Sequence, residues 1–468
     1  MKNEWQGKSV LVLGLGDTGL SVVRWLARRG AKLRAADTRA APPSLGTVRA
    51  DHPDVGVTLG PFDEALLAGV DAVIASPGVA LGEPLLRAAA ARGIEIAGDI
   101  EIFARELAGS QGVRVIGITG TNGKSTVTAL AGTMAEFAGY RTMVAGNIGL
   151  PVLEALERPE GRSAQVFVIE LSSYQLETTS SLEFDSAAML NLTQDHLDRY
   201  GDMAGYARAK ERIFRHARTR VLNRDDAWSM GMAGEKNLTF GLGVPANENE
   251  WGLDGAQSML MHGDQPIVAT EKMTIKGLHN AANALAAHAL VSAIGAPPEP
   301  LARAITEFRG LSHRVELVAE AGGVCFYDDS KGTNVGATVA ALEGFRTPVV
   351  LIAGGDGKGQ DFSPLAAAVR ARARAVILIG RDANAVGAAL EGTGVPMIHA
   401  QAMAQAVEAA FQQAQPGDCV LLSPACASFD MFRNYGHRGQ VFADAARGLA
   451  AGTGRNSKPD ALCPPRHH

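Results

Sequence analysis

Residues 113–126 read VRVIGITGTNGKST and decide the fold. The apolar run at 113–118 ends in a glycine-rich turn, and the pattern after it predicts a helix from Lys124 to about residue 138. The same succession of apolar run, glycine turn and helical pattern starts at residues 9–14 and again at 348–353. Three such βα units predict an α/β fold with mostly parallel sheets.

The chain of 468 residues is about three times the ~150 residues of a typical domain, so several separately cored units are expected. We predict a Rossmann-like domain at 1–110, a central P-loop ATPase-like domain at 111–311 and a Rossmann-like C-terminal domain at 312–451. Residues 237–270 read as short strands and turns that elaborate the central domain. Residues 452–468 lack periodicity and predict a disordered tail.

Composition excludes several classes of protein. A net charge of −5 with 20% charged residues leaves no broad basic field for nucleic acid. The amino terminus lacks an apolar signal region and no apolar run reaches the roughly 20 residues of a membrane span, so we expect a cytoplasmic protein without membrane insertion. We also expect a monomer. The four cysteines, Cys325, Cys419, Cys426 and Cys463, form no C-x-x-C pair and have no histidine at metal-ligand spacing.

The loop after residue 118 departs from the strict G-x-x-x-x-G-K-[ST] pattern, because the first glycine would fall at Ile118. Its chemistry is nevertheless that of a phosphate cradle. Backbone NH groups surround the phosphates, Lys124 neutralises their β/γ end and the Ser125 hydroxyl can ligate Mg²⁺. The predicted nucleotide-binding residues here are Gly117, Thr119, Gly120, Thr121, Asn122, Gly123, Lys124, Ser125 and Thr126.

The earlier glycine turn, Gly14-Leu-Gly16-Asp-Thr-Gly19, matches G-x-G-x-x-G between a strand and a helix, and Asp37 ends the next strand. This pattern is the fingerprint of dinucleotide binding. NAD, another diphosphate ligand and a purely structural turn all remain open from the pattern alone.

Three further positions could have either a chemical or a purely structural role. Glu170 ends the apolar run at 166–171 beside the predicted phosphate site, where it could bind a metal ion or only cap a helix or form a salt bridge. His196 follows the apolar run at 187–190, and a lone histidine is commonly structural. Lys210, from its local composition, reads as a solvated helix residue.

The run GITGTNGKST closely resembles the ATP loop of the Mur ligases and of the related folylpolyglutamate synthases. The resemblance covers roughly residues 8–450. It implies a three-domain enzyme in which ATP phosphorylates a carboxylate and an amine captures the acyl phosphate.

The resemblance also assigns the reacting centre. The segment ELSSYQ at 170–175 matches the family's Mg²⁺-binding stretch, and His196 matches the residue near a second Mg²⁺. Lys210 matches a lysine that is carbamylated in the family. The implied cofactors are therefore ATP and two Mg²⁺ ions, with Lys124, His196 and Lys210 catalytic and Ser125, Glu170, His196 and Lys210 at the metal.

Asn280 and Asn283 lie three apart on a predicted helix, and the resemblance places that helix at the adenine. Arg314 fits a residue that reaches the γ-phosphate on domain closure, although a surface ion pair is an alternative. The resemblance adds Asp329 and Lys331 to the nucleotide site.

Residues 329–334, DSKGTN, resemble the member of the family that adds D-glutamate, whereas other members resemble one another in D-Y-A-H or Y-N-A-N strings. The implied substrates are D-glutamate and UDP-N-acetylmuramoyl-L-alanine, and the implied process is peptidoglycan precursor synthesis. The implied D-glutamate residues are Thr333, Lys358, Ser428 and Tyr435, with a solvated loop lysine as the alternative for Lys358. The implied UDP-substrate residues are Leu15, Gly16, Asp17, Thr18, Asp37, Thr38, Ser76, Asn147, Ser172 and Gln175.

Two other classes of function remain open. A nicotinamide-dependent oxidoreductase would explain the first glycine turn and Asp37 but would leave the second loop unused. A non-catalytic nucleotide-gated binding protein would use the same motifs without turnover. Under the ligase reading, the last domain must swing in for reaction, so we expect an open form in the absence of ligands.

Overall fold

The computed structural model describes residues 3–110 and 112–452. These form three sheets with helices packed on them. The predicted tail lies, apart from its first residue, outside the described residues, as does Cys463. The predicted α/β class with three parallel-sheet units is confirmed, whereas the boundaries at 110/111 and 311/312 stay predictions.

The N-terminal sheet is parallel throughout, in the order β3-β2-β1-β4-β5. Its strands and helices are β1 (Ser9–Leu13), α1 (Asp17–Arg28), β2 (Lys32–Asp37), α2 (Leu45–Asp51), β3 (Gly56–Leu59), β4 (Ala72–Ala75), α3 (Pro84–Ala91), β5 (Glu95–Ala97) and α4 (Asp99–Leu107). Strand order reverses beside β1, and ligands of such sheets bind at the carboxyl ends of the strands there. The first glycine turn follows β1 at this place.

The central sheet has the order β14-β13-β12-β11-β10-β9-β6-β8-β7. Its elements are β6 (Arg114–Thr119), α5 (Lys124–Phe137), β7 (Thr142–Gly146), α6 (Val152–Glu157), α7 (Pro159–Arg162), β8 (Val166–Glu170), α8 (Ser173–Glu177), β9 (Ser186–Met189), α9 (Leu197–Tyr200), α10 (Met203–Glu211), β10 (Arg220–Asn223), α11 (Ala227–Met230), β11 (Asn237–Phe240), β12 (Glu250–Leu253), β13 (Met259–His262), β14 (Gln265–Ala269), α12 (Leu278–Ser292) and α13 (Pro298–Glu307). Strands β12 to β14 run antiparallel. They confirm the short strands predicted at 237–270.

The C-terminal sheet has the order β15-β16-β20-β17-β18-β19, and all of its pairings except β15 with β16 are parallel. Its elements are β15 (Glu316–Ala321), β16 (Val324–Asp328), α14 (Val335–Gly344), β17 (Val349–Gly354), α15 (Leu365–Arg372), β18 (Ala373–Ile379), α16 (Ala383–Leu390), β19 (Met397–His399), α17 (Met403–Gln413), β20 (Cys419–Leu422) and α18 (Tyr435–Gly452).

The first two units share one core. Phe103 of α4 meets Phe167 of β8 edge to face, with ring centroids 5.2 Å apart, and the same apolar cluster continues through both sheets. A fully buried aromatic side chain typically stabilises a fold by about 1.5–3 kcal/mol, so the two rings together stabilise the contact between the units by a few kcal/mol. The N-terminal unit is therefore held firmly against the central one.

Cys325, Cys419 and Cys426 are buried, and they form no disulfide with one another. Among the described helices, none combines the length and the apolar character that crossing a bilayer requires.

Candidate active site

The phosphate loop joins β6 to α5, and its shape depends on two glycines with positive φ angles. Gly123 precedes α5 with φ 82°, and a Cβ there would meet the Asn283 Oδ1 at 2.5 Å. Gly120 has φ 151° and lies against Leu190. Neither position accepts a side chain without strain. The amino terminus of α5 has no side-chain cap, which leaves its NH groups for an anion.

A second segment holds the loop open. The NH of Thr121 donates to the Asn191 carbonyl at 2.9 Å, and the NH of Asn122 donates to the Asn191 side chain at 2.8 Å. These bonds fix the loop before any ligand arrives, so it is preorganised for phosphate.

Two lysine amines lie at the base of the loop. The Lys124 Nζ donates to the carbonyls of Gly120 and Thr121 at 2.9 and 2.7 Å. The Lys210 Nζ donates to the Gly120 carbonyl at 2.8 Å and approaches the Thr119 hydroxyl at 3.2 Å. The side chain of Lys210 is 1% exposed, so its description as a solvated helix residue is wrong: α10 turns this face toward the loop.

Burial lowers the pKa of Lys210 well below its ordinary value, and the positive charge of Lys124 lowers it further. Burial also lowers the pKa of Lys124, against the opposing influence of Glu170 and Asp195. Both shifts favour the uncharged form of the amine, and the shift of Lys210 is the larger.

Glu170 ends β8 with its side chain 1% exposed. Its Oε1 accepts from the Asn147 amide at 2.8 Å, whereas its Oε2 has no hydrogen-bond partner among the described residues. Burial would raise the pKa of Glu170, but its polar surroundings, first among them the charges of Lys124 and Lys331, lower it overall. Since Ser172 caps α8, capping does not explain this buried carboxylate, and its free oxygen fits a cation.

His196 precedes α9 in the left-handed region, with φ 56°. Its Nδ1 lies 2.7 Å from the Tyr174 hydroxyl. Burial lowers the pKa of His196 to about 4, so the ring is neutral near pH 7 and keeps a lone pair for a cation or a substrate proton.

The C-terminal unit touches the loop directly. The Lys331 Nζ donates to the Ser125 hydroxyl at 2.7 Å, and the Asn334 amide donates to the Asn122 Oδ1 at 2.9 Å. This arrangement is closed, and the expected open form is not what the structure shows. The contacts across this interface are pairs of polar side chains.

Lys358 lies at the same interface, where its Nζ is 3.2 Å from the Asp195 Oδ1. Its side chain is 20% exposed, so it is not a solvated loop lysine. Two other predicted D-glutamate residues belong to the same C-terminal unit: Ser428 is buried, and Tyr435 begins α18 with its ring centroid 5.2 Å from the Lys331 Nζ. Thr333 follows in the same turn as Lys331, to whose carbonyl its NH donates at 2.9 Å.

A cavity of about 630 Å³ opens where the central and C-terminal units meet. Asn280, Arg314 and Tyr327 line it. The Arg314 Nε is buried without a hydrogen-bond partner among the described residues, which does not fit the surface ion pair considered for it. Asn280 accepts from Asn283 at 3.2 Å, so the helix connects this cavity to the phosphate loop.

Asp329 has a carboxyl group whose pKa is shifted upward. Burial raises its pKa to about 7, while the Ser423 hydroxyl, which donates to it at 2.7 Å, and the charge of Arg314 oppose the rise.

A second cavity, of about 770 Å³, lies at the switch point of the N-terminal sheet. Most of the predicted UDP-substrate residues line it, and residues of the central unit close its far side: Gly16, Asp17, Thr18, Asp37, Thr38 and Ser76 from the first unit, Asn147 and Gln175 from the second. Leu15 and Ser172 do not line it. The Leu15 side chain is buried in the core, and the Ser172 hydroxyl caps α8.

Comparison with family profiles settles the family. The chain matches the Mur ligase MurD-like N-terminal domain at 8–98, the Mur ligase middle domain at 118–291 and the Mur ligase glutamate ligase domain at 313–426. The chain belongs to the Mur ligase family.

Three similar proteins carry the name UDP-N-acetylmuramoylalanine–D-glutamate ligase. The relative from Methylobacillus flagellatus is 53% identical over 94% of this chain and 97% of its own, that from Thiobacillus denitrificans 54% over 95% and 97%, and that from Nitrosospira multiformis 52% over 97% and 98%.

Solved Mur ligase structures share the fold at low sequence identity. UDP-N-acetylmuramate–alanine ligase of Thermotoga maritima superposes with a TM-score of 0.61 at 18% identity, over 94% of this chain and 99% of that one. A pseudomurein peptide ligase type C from Methanothermus fervidus gives 0.59 at 17%, over 95% and 100%. These matches support the three-domain Mur ligase fold. Membership in the family removes the oxidoreductase alternative for the first glycine turn.

The sequence did not single out Arg39, which the structure places in the N-terminal cavity of this Mur ligase. Its guanidinium donates to both oxygens of Asp37, at 2.9 and 2.7 Å, and this contact lowers the pKa of Asp37 to about 2. Asp195 was also not singled out as a site residue. The signal for Arg39 was its place two residues after Asp37, whereas nothing local marks Asp195 as the partner of Lys358.

Proposed function

We propose that this Mur ligase joins D-glutamate to UDP-N-acetylmuramoyl-L-alanine at the expense of ATP. The observation that carries the proposal is the meeting of the central and C-terminal units at the phosphate loop. Lys331 of the C-terminal unit donates to Ser125 of the loop, Lys358 pairs with Asp195 of the central unit, and Glu170 ends the strand beside the loop. Relatives with more than half of their residues identical carry the name of this activity, and they match over nearly the whole chain.

ATP is assigned to the phosphate loop and to the cavity beside Asn280 and Arg314. The loop offers NH groups and Lys124 to the phosphates, and the cavity has room for a base. Glu170 and Ser125 would hold one Mg²⁺, because a buried carboxylate oxygen without a partner and a hydroxyl are the oxygen donors that this ion prefers. His196 and the carbamylated Lys210 would lie at a second Mg²⁺, as the family resemblance implies. Bound there, the ions supply positive charge that lowers the cost of phosphoryl transfer.

Lys210 is proposed to be carbamylated. Burial lowers the pKa of its amine well below the ordinary value and so favours the neutral form, which adds to CO₂, forming an N–C bond and releasing one proton to leave an anionic carbamate. The anion would face Lys124, whose ammonium shares the Gly120 carbonyl. The modification therefore replaces an unfavourable approach of two amines by an ion pair.

The acceptor is assigned to the N-terminal cavity, where its diphosphate would meet the glycine turn at the start of α1 and its uracil the Asp37 and Arg39 region. Asn147 and Gln175 extend that cavity toward the central unit, and Asn147 also binds Glu170. The acceptor's alanyl end would thus point to the reacting centre.

In the proposed reaction the alanyl carboxylate attacks the γ-phosphorus and ADP leaves, giving an acyl phosphate. The D-glutamate amine then attacks that carbonyl and phosphate leaves. The chain contributes mainly position and charge: Lys124 holds the phosphates, His196 lies beside the reacting carboxylate, and Lys358 holds the incoming amino acid. A monomer working in the cytoplasm is sufficient for this chemistry.

The proposal is tested by ADP release with ATP and UDP-N-acetylmuramoyl-L-alanine, varying the amino acid among D-glutamate, L-glutamate, L-alanine and meso-diaminopimelate. We expect release that requires both the acceptor and D-glutamate. Equal release with another amino acid would overturn the substrate assignment. ATP binding without release under any combination would favour the non-catalytic alternative.

A further inference from the structure

The ring of His196 is held by one specific hydrogen bond. The residue has a left-handed backbone at the start of α9, so its side chain is not fixed by a preceding helical turn. The Tyr174 hydroxyl lies 2.7 Å from its Nδ1, and the two rings pack with centroids 4.9 Å apart at 58°. The other ring nitrogen, Nε2, is 3.6 Å from the Asp195 carboxylate.

Tyr174 is itself held in place. The guanidinium carbon of Arg199 lies 4.0 Å from its ring centre. Arg199 also pairs with Glu177 and donates to the Pro77 carbonyl at 3.1 Å. The Arg199 side chain is 12% exposed and contacts Tyr174, Glu177 and Pro77. Its stacking on the Tyr174 ring keeps the phenol hydroxyl oriented toward His196.

The hydrogen bond between the Tyr174 hydroxyl and the His196 Nδ1 affects which ring nitrogen of His196 carries the proton. A neutral histidine that offers Nε2 to a cation or to a substrate must carry its proton on Nδ1, and a hydrogen-bond acceptor at Nδ1 selects that tautomer and fixes the ring plane. The Tyr174 oxygen can accept this bond, since a phenol both donates and accepts. A phenylalanine at this position would keep the packing but would leave Nδ1 without the partner.

We propose that Tyr174 is a positioning residue for His196, and that Arg199 holds Tyr174 in the pose that makes this possible. The role of His196 at the reacting carboxylate rests on the proposed function, whereas the orientation of its ring does not. Arg199 also joins the reacting centre to the loop at Pro77, which borders the N-terminal cavity.

The test is Tyr174→Phe, which removes one oxygen and keeps the aromatic packing. The ¹⁵N resonances of His196, assigned by their loss in His196→Ala, are compared in the unliganded wild type and variant, and steady-state kinetics are measured for each substrate. Tyr140→Phe is the matched control, because its hydroxyl bonds to Arg114 at the opposite end of α5. Arg199→Met tests the second half of the proposal.

We expect the Nδ1 and Nε2 resonances of His196 to move in Tyr174→Phe and in Arg199→Met but not in Tyr140→Phe. Loss of a hydrogen-bond partner behind a ligating histidine typically costs about 10- to 100-fold in activity, so kcat of Tyr174→Phe should fall by at least about tenfold while the KM for ATP stays within about twofold.

Unchanged His196 resonances in Tyr174→Phe would overturn the proposal, and unchanged resonances in Arg199→Met would overturn the part that concerns Arg199. Moved resonances with full kcat, in a protein that His196→Ala inactivates, would also overturn it. If His196→Ala itself keeps full activity, the role given to His196 in the proposed function fails, and the resonances alone then decide whether Tyr174 orients the ring.

Discussion

Lys124 and Lys210 donate to the same carbonyl oxygen, that of Gly120, at 2.9 and 2.8 Å. The two residues are far apart in sequence, and the loop between β6 and α5 brings their amines together. Two full positive charges this close in a buried place would repel each other strongly. Burial and the nearby charge of Lys124 lower the pKa of Lys210 well below its ordinary value, which favours the uncharged form of that amine.

Lys124→Ala should abolish ADP formation and leave the binding of UDP-N-acetylmuramoyl-L-alanine nearly intact, because Lys124 lies at the phosphate loop and not at the N-terminal cavity. Removing one charge-stabilising donor typically lowers kcat by about 10²- to 10³-fold. Calorimetry with the acceptor and an ADP-release assay measure the two effects. An equal loss of acceptor affinity would contradict the separation of the two sites.

Lys210→Ala should remove most of the activity, and the wild type should lose activity when dissolved CO₂ is stripped and regain it on adding bicarbonate. The reason is that only carbamylation converts a neutral buried amine into an anion. Lys236→Ala, an exposed lysine of the same unit, is the control. Indifference of the wild type to CO₂ would refute carbamylation even if Lys210→Ala is inactive.

Lys358→Ala should raise the KM for D-glutamate and change that for ATP little. Removing one partner of a desolvated charge pair costs about 2–5 kcal/mol, or roughly thirty- to several-thousand-fold in binding. Kinetics with each substrate varied separately measure the effect. An unchanged KM and kcat for D-glutamate would remove Lys358 from the site and leave it only as the partner of Asp195.

A disulfide at an existing contact between Thr193 and Gly336 would hold the C-terminal unit in the closed position. A Cβ added at Gly336 would lie 3.2 Å from the Thr193 Oγ1, so Thr193→Cys with Gly336→Cys brings two thiols within disulfide reach. The oxidised double variant should stop turning over, because substrates cannot enter and leave, and a reductant should restore it. The two single variants control for the substitutions. Turnover with the disulfide intact would show that the unit need not open.

Asp329 predicts a pH dependence of stability. Its folded pKa, about 7, is raised by burial above its usual value of 3.8, so the unfolded state ionises first as pH rises. The wild type should therefore lose stability between about pH 4 and pH 7, relative to Asp329→Asn, by at most a few kcal/mol. Thermal unfolding of both unliganded proteins at pH 5 and pH 8 measures the difference. Parallel changes in Tm would show that the carboxyl is ionised throughout.

The sequence by itself determined the α/β class, the three βα starts and the phosphate loop. These features depend on residues adjacent in the chain: an apolar run becomes a buried strand, and glycines such as Gly123 adopt the backbone that only they tolerate. The loop motif and the string at 329–334 also led to the Mur ligase family, because both are contiguous. Glu170 was found for the same reason, as a charge at the end of an apolar run.

Only the tertiary structure decided which side chains face one another. Lys210 looks solvated within α10 and becomes buried because Gly120, 90 residues earlier, lies against it. Asp195 and Lys358, separated by 163 residues, and Tyr174 with His196 are paired by the packing of separate elements. Local sequence fixes backbone preference, whereas desolvation and the resulting pKa shifts depend on atoms brought in from distant segments. The phosphate loop could therefore be predicted from the sequence, whereas the electrostatics of the site could not.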